Sequence, residues 1–225
     1  MNVDPFRTGA NALRYWEERQ QVVSNNLANA DTQGFKAERV FARLLGDTIA
    51  TQAATDFKAG SISPTGNPLD FALEGDGFLV VSTAQGERLT RGGSFGIDSE
   101  GRLTDGAGNR VVGTDGDIYV RDGQVDVDAS GTVRVDGVDV GRLRLVRPAP
   151  GTQLLHEDGV RFRAEGEVTD VRDVRVRQGY IEGSNVNALQ SMVEMIEIQR
   201  SYAAVQSSLR TMDGVMDRVV NQLGR

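Results

Sequence analysis

The sequence predicts an α+β chain: N- and C-terminal helices paired as a coiled coil, with a central antiparallel, turn-rich β domain between them. Three observations point there. Apolar residues recur at alternating spacings of three and four at both ends, and at a period of two in the middle. The 27 glycines are dense between positions 60 and 141 and sparse elsewhere, which is the pattern of frequent turns. Charge divides the chain in the same way. Residues 1–36 and 188–225 each hold four acids and four bases, so the middle carries the whole net charge of −7.

Residues 1–36 read as an assembly helix and a turn motif. Asp4-Pro5 supplies an N-cap oxygen followed by proline at the first helical position. Leu13, Trp16, Gln20, Val23, Leu27 and Ala30 then form a heptad-like stripe. From Pro5 to Asn29 the helix would run roughly 37 Å at ~1.5 Å per residue. Gly34 can take positive φ and end it. Residues 37–66 show weak periodicity and many small or polar side chains, and read as an irregular connector.

Residues 67–182 read as the β domain. Leu69–Leu73, Phe78–Val81, 117–121 and 141–146 look like strands. They are separated by turn signals at Gly75-Asp-Gly77, Gly92-Gly93, Asp105-Gly106, Asp115-Gly116, Asp122-Gly123 and Asp136-Gly137. The pattern Asp-x-x-Gly-x-(Leu/Val) occurs at Asp98/Gly101/Leu103 and again at Asp128/Gly131/Val133, which suggests a repeated hairpin device.

Residues 183–225 read as a second assembly helix. Asn187 is its N-cap, with Gln190 at capping-box spacing. Val205, Leu209, Met212, Met216, Val219 and Leu223 carry its seam, and Leu189, Met192, Ile196 and Gln199 extend it upstream. A sustained 3.5-residue seam requires a partner helix, and the other end of the chain supplies one.

The same residues exclude most chemistry. With no cysteine and a single histidine, His156, the chain has no thiolate metal site, iron–sulfur cluster or cysteine nucleophile, and no multi-histidine centre. Its acidic balance argues against nucleic acid and anionic membranes as partners. No apolar run approaches the ~18 residues of a membrane span, and Met1-Asn-Val-Asp-Pro-Phe-Arg has no apolar core of a cleaved signal. Gly92-Gly-Ser94-Phe-Gly96 fits a nucleophile elbow, but turn residues follow where a helix is needed, so it reads as a hairpin and His156 as a surface side chain. Asp126-Val-Asp128-Ala-Ser130-Gly131 opens like a calcium loop, but its twelfth position is Gly137 rather than a bidentate Glu. Gly75-Asp-Gly77 lacks the third glycine of a dinucleotide fingerprint. No catalytic, cofactor-binding or metal-ligating residue is expected, and no small-molecule substrate.

Three asparagines in five residues, Asn25, Asn26 and Asn29, exceed what a helix end requires. They fall in Ser24-Asn-Asn-Leu-Ala-Asn-Ala-Asp-Thr-Gln-Gly-Phe-Lys36, which resembles the N-terminal signature of bacterial flagellar rod and hook proteins. Asn67–Phe78, Leu89–Phe95 with Asp98, Gly101 and Leu103, and Gln178–Asn187 followed by Met195–Tyr202 resemble further segments of that family. The chain's length and its short path from Phe35 to Asn67 are most similar to proximal rod subunits. Distal rod or hook-type subunits are the alternative, and a monomeric binding module is the outside one. Gln33, where the family often has Pro or Thr, and Gly92, where Asp or Asn is common, depart mildly from the pattern.

The resemblance implies a structural subunit that assembles with copies of itself and with other rod proteins. It would pass through the flagellar type III export apparatus without a cleaved signal and reside in the rod crossing the periplasm. It also implies an assembly interface of Leu13, Trp16, Val23, Asn25, Asn26, Leu27, Asn29, Gly34 and Phe35 with Val205, Leu209, Met212, Met216 and Val219. The asparagines would fix register between neighbours, so Asn26→Leu is expected to favour isolated helix pairing and impair assembly.

Overall fold

The computed structural model describes residues 5–45, 48–121, 123–157 and 159–223. They form two compact units. A helical unit comprises residues 1–30, 37–56 and 186–225, and a β unit comprises residues 31–36 and 57–185.

In the helical unit, α1 (Pro5–Ala28) and α2 (Ala188–Leu223) pack antiparallel. Asp4, the expected N-cap of α1, lies outside the described residues. Asn187 caps α2 as expected, its side-chain oxygen accepting from Gln190 N at 3.0 Å. The stretch read as an irregular connector is instead mostly a hairpin. Strand β1 (Glu38–Leu45) pairs over its whole length with β2 (Thr48–Thr55), from Glu38↔Thr55 to Leu45↔Thr48. Its β2 partner, Thr-Ile-Ala-Thr-Gln-Ala-Ala-Thr, has too few large apolar residues to show an alternation. A two-stranded ribbon is marginal alone in water, and here it also packs on α1.

The β unit is built on an antiparallel sheet. Its centre is β5 (Phe78–Thr83), flanked by β6 (Gly86–Thr90) and by residues 110–113. The run Phe78-Leu-Val-Val is apolar throughout because both of its faces are covered. Leu79 and Val81 enter one core with Phe71, Leu103 and Ile118, while Phe78 and Val80 enter a second with Leu89, Val146 and Phe162.

Two short pairings close the chain on itself: β3 (Ile62–Pro64) with residues 180–182, and β4 (Phe71–Glu74) with residues 175–178. Two expected strands differ from the reading above. Of residues 117–121, only Asp117 lies in a strand. The run 141–146 is divided between strands Val138–Arg142 and Leu145–Pro148. The chain bends between them, where Leu143 N reaches Gly131 O and Arg144 N reaches Val112 O.

The repeated Asp-x-x-Gly device exists three times among the described residues. Asp98 Oδ1 accepts from the backbone of Glu100 and Arg102, both at 2.9 Å. Asp128 Oδ1 accepts from Ser130 and Thr132, and Asp105 Oδ1 from Ala107 and Asn109. Gly101, Gly131 and Gly108 each take φ near +80° at the fourth position. The third copy escapes the sequence pattern because Arg110 stands where Leu or Val was required.

Backbone donors hold Asp98 below the usual carboxylate range, and the Ser130 hydroxyl does the same to Asp128. Such depressed carboxylates stabilise the fold above their unfolded pKa of about 3.9, and that contribution is lost as pH falls through the folded value. An Asp98→Asn/Asp128→Asn chain should therefore lose Tm at neutral pH and show a shallower fall on the acid side, measured by thermal melts below about pH 4.

Candidate functional site, a buried charge hub and an antiparallel helix pair

Within the β unit four chain segments meet on Glu182, whose side chain is fully buried. Its Oε1 accepts from Lys36 Nζ and from Gly60 N at 2.9 Å. Its Oε2 accepts from Arg91 Nη1 at 3.0 Å. Its backbone oxygen accepts from Gly34 N at 2.8 Å. Lys36, also fully buried, donates to Lys58 O at 2.9 Å, and Arg91 donates to Gly75 O at 2.6 Å. Two cations thus face one carboxylate. The excess positive charge is offset by backbone carbonyls and by the face of Phe78, 5.4 Å from the Arg91 guanidinium carbon. Among the described residues, Arg91 Nε is the one buried side-chain polar atom without a hydrogen-bond partner.

Close backbone contacts make the hub possible. Gly34 sits at φ +70°, and a Cβ there would lie 2.4 Å from Arg91 C and Gly92 N. At Gly60 a Cβ would lie 2.0 Å from Gly183 O. The segments entering and leaving the β unit therefore lie side by side, joined by Gly34 N to Glu182 O and by Asn185 N to Phe35 O at 3.4 Å.

Gly34 and Phe35, read above as assembly-interface residues, are enclosed here instead. Phe35 is fully buried, with its ring edge-on to His156 at 5.5 Å. His156 is half-buried, its ring also 5.2 Å from that of Phe162 and its Nε2 bonding Gly159 O at 2.7 Å. Ser94 donates to Gln33 Oε1 at 2.7 Å, which ties the glycine hairpin to the turn motif.

In the helical unit, three contacts define the pairing of α1 with α2. Gly9 lies against Leu209, where a Cβ would come 2.4 Å from Leu209 Cδ2. Tyr202 donates to Glu17 at 3.1 Å, and the Glu17 carboxylate pushes the Tyr202 phenol pKa up. Arg19 Nε and Nη2 both donate to Glu194 Oε1, at 2.9 and 2.5 Å. Partner numbers fall along α2 as they rise along α1, so the helices run antiparallel. Half-exposed pairs of this kind contribute at most about 1 kcal/mol, and they set register more than stability.

Of the expected seam, Val23 is buried, and Leu13, Trp16, Leu27, Val205 and Leu209 are half-buried. Met212 and Met216 are exposed, level with or beyond the described start of α1, and the side chain of Val219 lies outside the described ones.

The asparagines bond inside the chain. Asn26, buried, donates to Glu38 O at 2.8 Å and accepts from Glu38 N at 2.9 Å, so it clamps the first residue of β1 to α1. Asn29 folds back on Asn25 O and Oδ1 at 3.0 and 2.8 Å, closing the helix end. This corrects the expectation for Asn26→Leu. Removing the amide strands two backbone groups, so Asn26→Ala should cost about 1–3 kcal/mol. Amide exchange should accelerate at Glu38 and along the hairpin while Val81 stays protected; an unchanged hairpin would refute the clamp.

Lys36, Arg91 and Glu182 were not singled out from sequence. The available signal was position, since each lies within one of the quoted motif segments. Comparison with known proteins divides the chain in the same way. Residues 6–36 match the family described as flagella basal body rod protein, residues 72–135 the flagellar hook protein FlgE/F/G D1 domain, and residues 177–223 the flagellar basal body rod FlgEFG protein C-terminal. Each match holds one member of the charge hub. The chain is 33% identical over 223 residues to the flagellar basal-body rod protein FlgF of Rhizobium meliloti, covering 92% of both chains. It is 34% identical over 233 residues to FlgF of Escherichia coli, covering 91% of this chain and 92% of that one. Flagellar basal-body rod protein FlgG of Bacillus subtilis is 27% identical over 256 residues, covering 95% and 97%.

Proposed function

The chain belongs to the flagellar basal-body rod protein family, and from that membership we propose that it is a proximal-rod subunit assembling through its paired terminal helices. It is a structural protein of the flagellar basal body and not an enzyme. The identity of 33–34% to two FlgF proteins over nine-tenths of each chain carries the proximal reading, against 27% to a FlgG protein.

In this reading the two helices pair as a coiled coil within the subunit and with those of neighbouring copies and of other rod proteins, Leu13, Trp16, Val23 and Leu27 meeting Val205, Leu209, Met212, Met216 and Val219. Asn25 and Asn29, at the α1 terminus, border that contact. The exposure of Met212 and Met216 supports it, since an apolar seam left in water favours a further partner. Within the β unit a desolvated charge hub fastens distant segments into one body, which suits a shaft that carries torque across the periplasm. Type III export would deliver the chain there without a cleaved signal. No helix among the described residues is long and apolar enough to cross a membrane.

Quantitative mass spectrometry of purified hook–basal bodies tests this function. The chain should co-purify with the rod fraction as a minor, few-copy component. A major component would place it in the distal rod, and absence from a well-populated preparation would overturn the rod reading.

A further inference from the structure

The β unit holds a cavity of ≈ 300 Å³ for which the rod function has no use. Its walls are largely apolar. Phe57 and Phe78 line it, their rings edge to face at 5.7 Å, and Pro148 and Leu154 line it from either side of the turn between strands Leu145–Pro148 and Gln153–Glu157. Phe57 is left 37% exposed, an aromatic surface that an occupant would cover. All of these residues belong to the β unit, so the cavity is complete without the helices.

Two arginines line the same space, Arg91 and Arg147. The Arg91 side chain is only 4% exposed. It donates through Nη1 to Glu182 and through Nη2 to Gly75 O, and its Nε is the buried donor without a partner. A buried N–H that meets no acceptor is unfavourable, and the fold leaves this one unmet. Arg147 donates through Nε to Asp76 O at 2.6 Å and through Nη2 to Asp173 at 2.9 Å, while its Nη1 carries no bond among the described residues. Asp76 also lines the cavity, but it is exposed, as is the Asp173 side chain, so water solvates both acids. Behind them the buried charge is unbalanced, with Lys36 and Arg91 against Glu182 alone.

We propose that this cavity binds a small organic carboxylate with a compact apolar body, held as a ligand rather than turned over as a substrate. The body lies against Phe57, Phe78, Pro148 and Leu154, and the carboxylate lies between Arg91 and Arg147. Charge selects an anion, because a cation would face two guanidinium groups and a neutral apolar molecule would leave Nε unpaired. The walls select an organic acid over an inorganic anion, which would gain nothing from them. Size and donors select a single acid group. The volume stands at the lower end for small-molecule sites, and the Thr152 hydroxyl beside it is already engaged with Glu167 O at 2.9 Å.

Titration of the purified full chain with phenylacetate, followed by proton–nitrogen NMR, tests the site without any substitution. The Arg91 Nε–H resonance should shift and saturate, and phenylacetamide, the neutral isostere, should bind roughly tenfold more weakly or worse. Acetate, which lacks the apolar body, should also bind more weakly. Arg147→Gln should weaken phenylacetate binding by about tenfold at unchanged Tm, and Leu154→Trp, which fills the cavity, should abolish it. Saturable binding that leaves Arg91 Nε–H unmoved would place the ligand elsewhere and overturn the site. Equal affinity for acid and amide would overturn carboxylate recognition. No saturation below about 10 mM would overturn the proposal outright. The rod function stands under each of these results.

Discussion

Glu182→Gln should lower the unfolding free energy of the β unit by about 3–5 kcal/mol, the cost of removing one partner from a buried charge network. The carboxylate is the one anion of the hub, and both of its oxygens are used: Lys36 and Gly60 share Oε1, and Arg91 holds Oε2. An amide keeps a single acceptor oxygen and leaves two cations without charge compensation in a site closed to water. Urea denaturation of the purified chain measures the loss. The exposed pair Arg39–Asp56 provides the contrast, because Arg39→Ala should cost less than about 1 kcal/mol. A loss below about 1 kcal/mol for Glu182→Gln as well would mean that the hub contributes no more than a surface pair, and its role in tying the segments together would fall.

Gly34→Ala should cost about 2–5 kcal/mol, combining the left-handed backbone penalty of an L side chain with overpacking. The new methyl would stand 2.4 Å from the backbone of Arg91 and Gly92, which a side-chain rotation cannot relieve. Residues 31–36 would have to withdraw from the β unit, and Lys36 would withdraw with them. Gly66→Ala separates the two contributions. Gly66 is also left-handed, at φ +75°, but a Cβ there meets nothing within 4 Å, so only the conformational cost of about 1–2 kcal/mol remains. Paired thermal melts of the two variants check the difference, and equal losses would refute the close-approach argument. Reduced incorporation of Gly34→Ala into basal bodies is the functional counterpart.

The two units show where reading from residues succeeds and where it stops. Both terminal helices are visible in sequence because their stripes and the Asn187 cap are local signals, set by chain geometry within a few turns. The central strand β5 is equally visible, although its sequence does not tell that it divides two cores. The hairpin β1–β2 is not visible. Thr, Ala and Gln alternate without contrast along β2, and what anchors the ribbon is a hydrogen-bond pair from Asn26, in a different element. In sequence the asparagine cluster is an excess over what a helix end requires. Its use depends on Glu38, twelve residues on, lying beside Asn26 in the folded chain.

The α+β class, the balanced helical ends, the turn-dense acidic middle and the absence of cysteine are legible in the residues alone. The ordered motifs also carried the family. Only the tertiary structure brought Lys36, Arg91 and Glu182 to one point, because ion pairs spanning 146 and 91 residues leave no periodicity to read. A buried lysine looks in sequence like any surface lysine. Desolvation makes it a lock, and desolvation is a property of the packed chain alone.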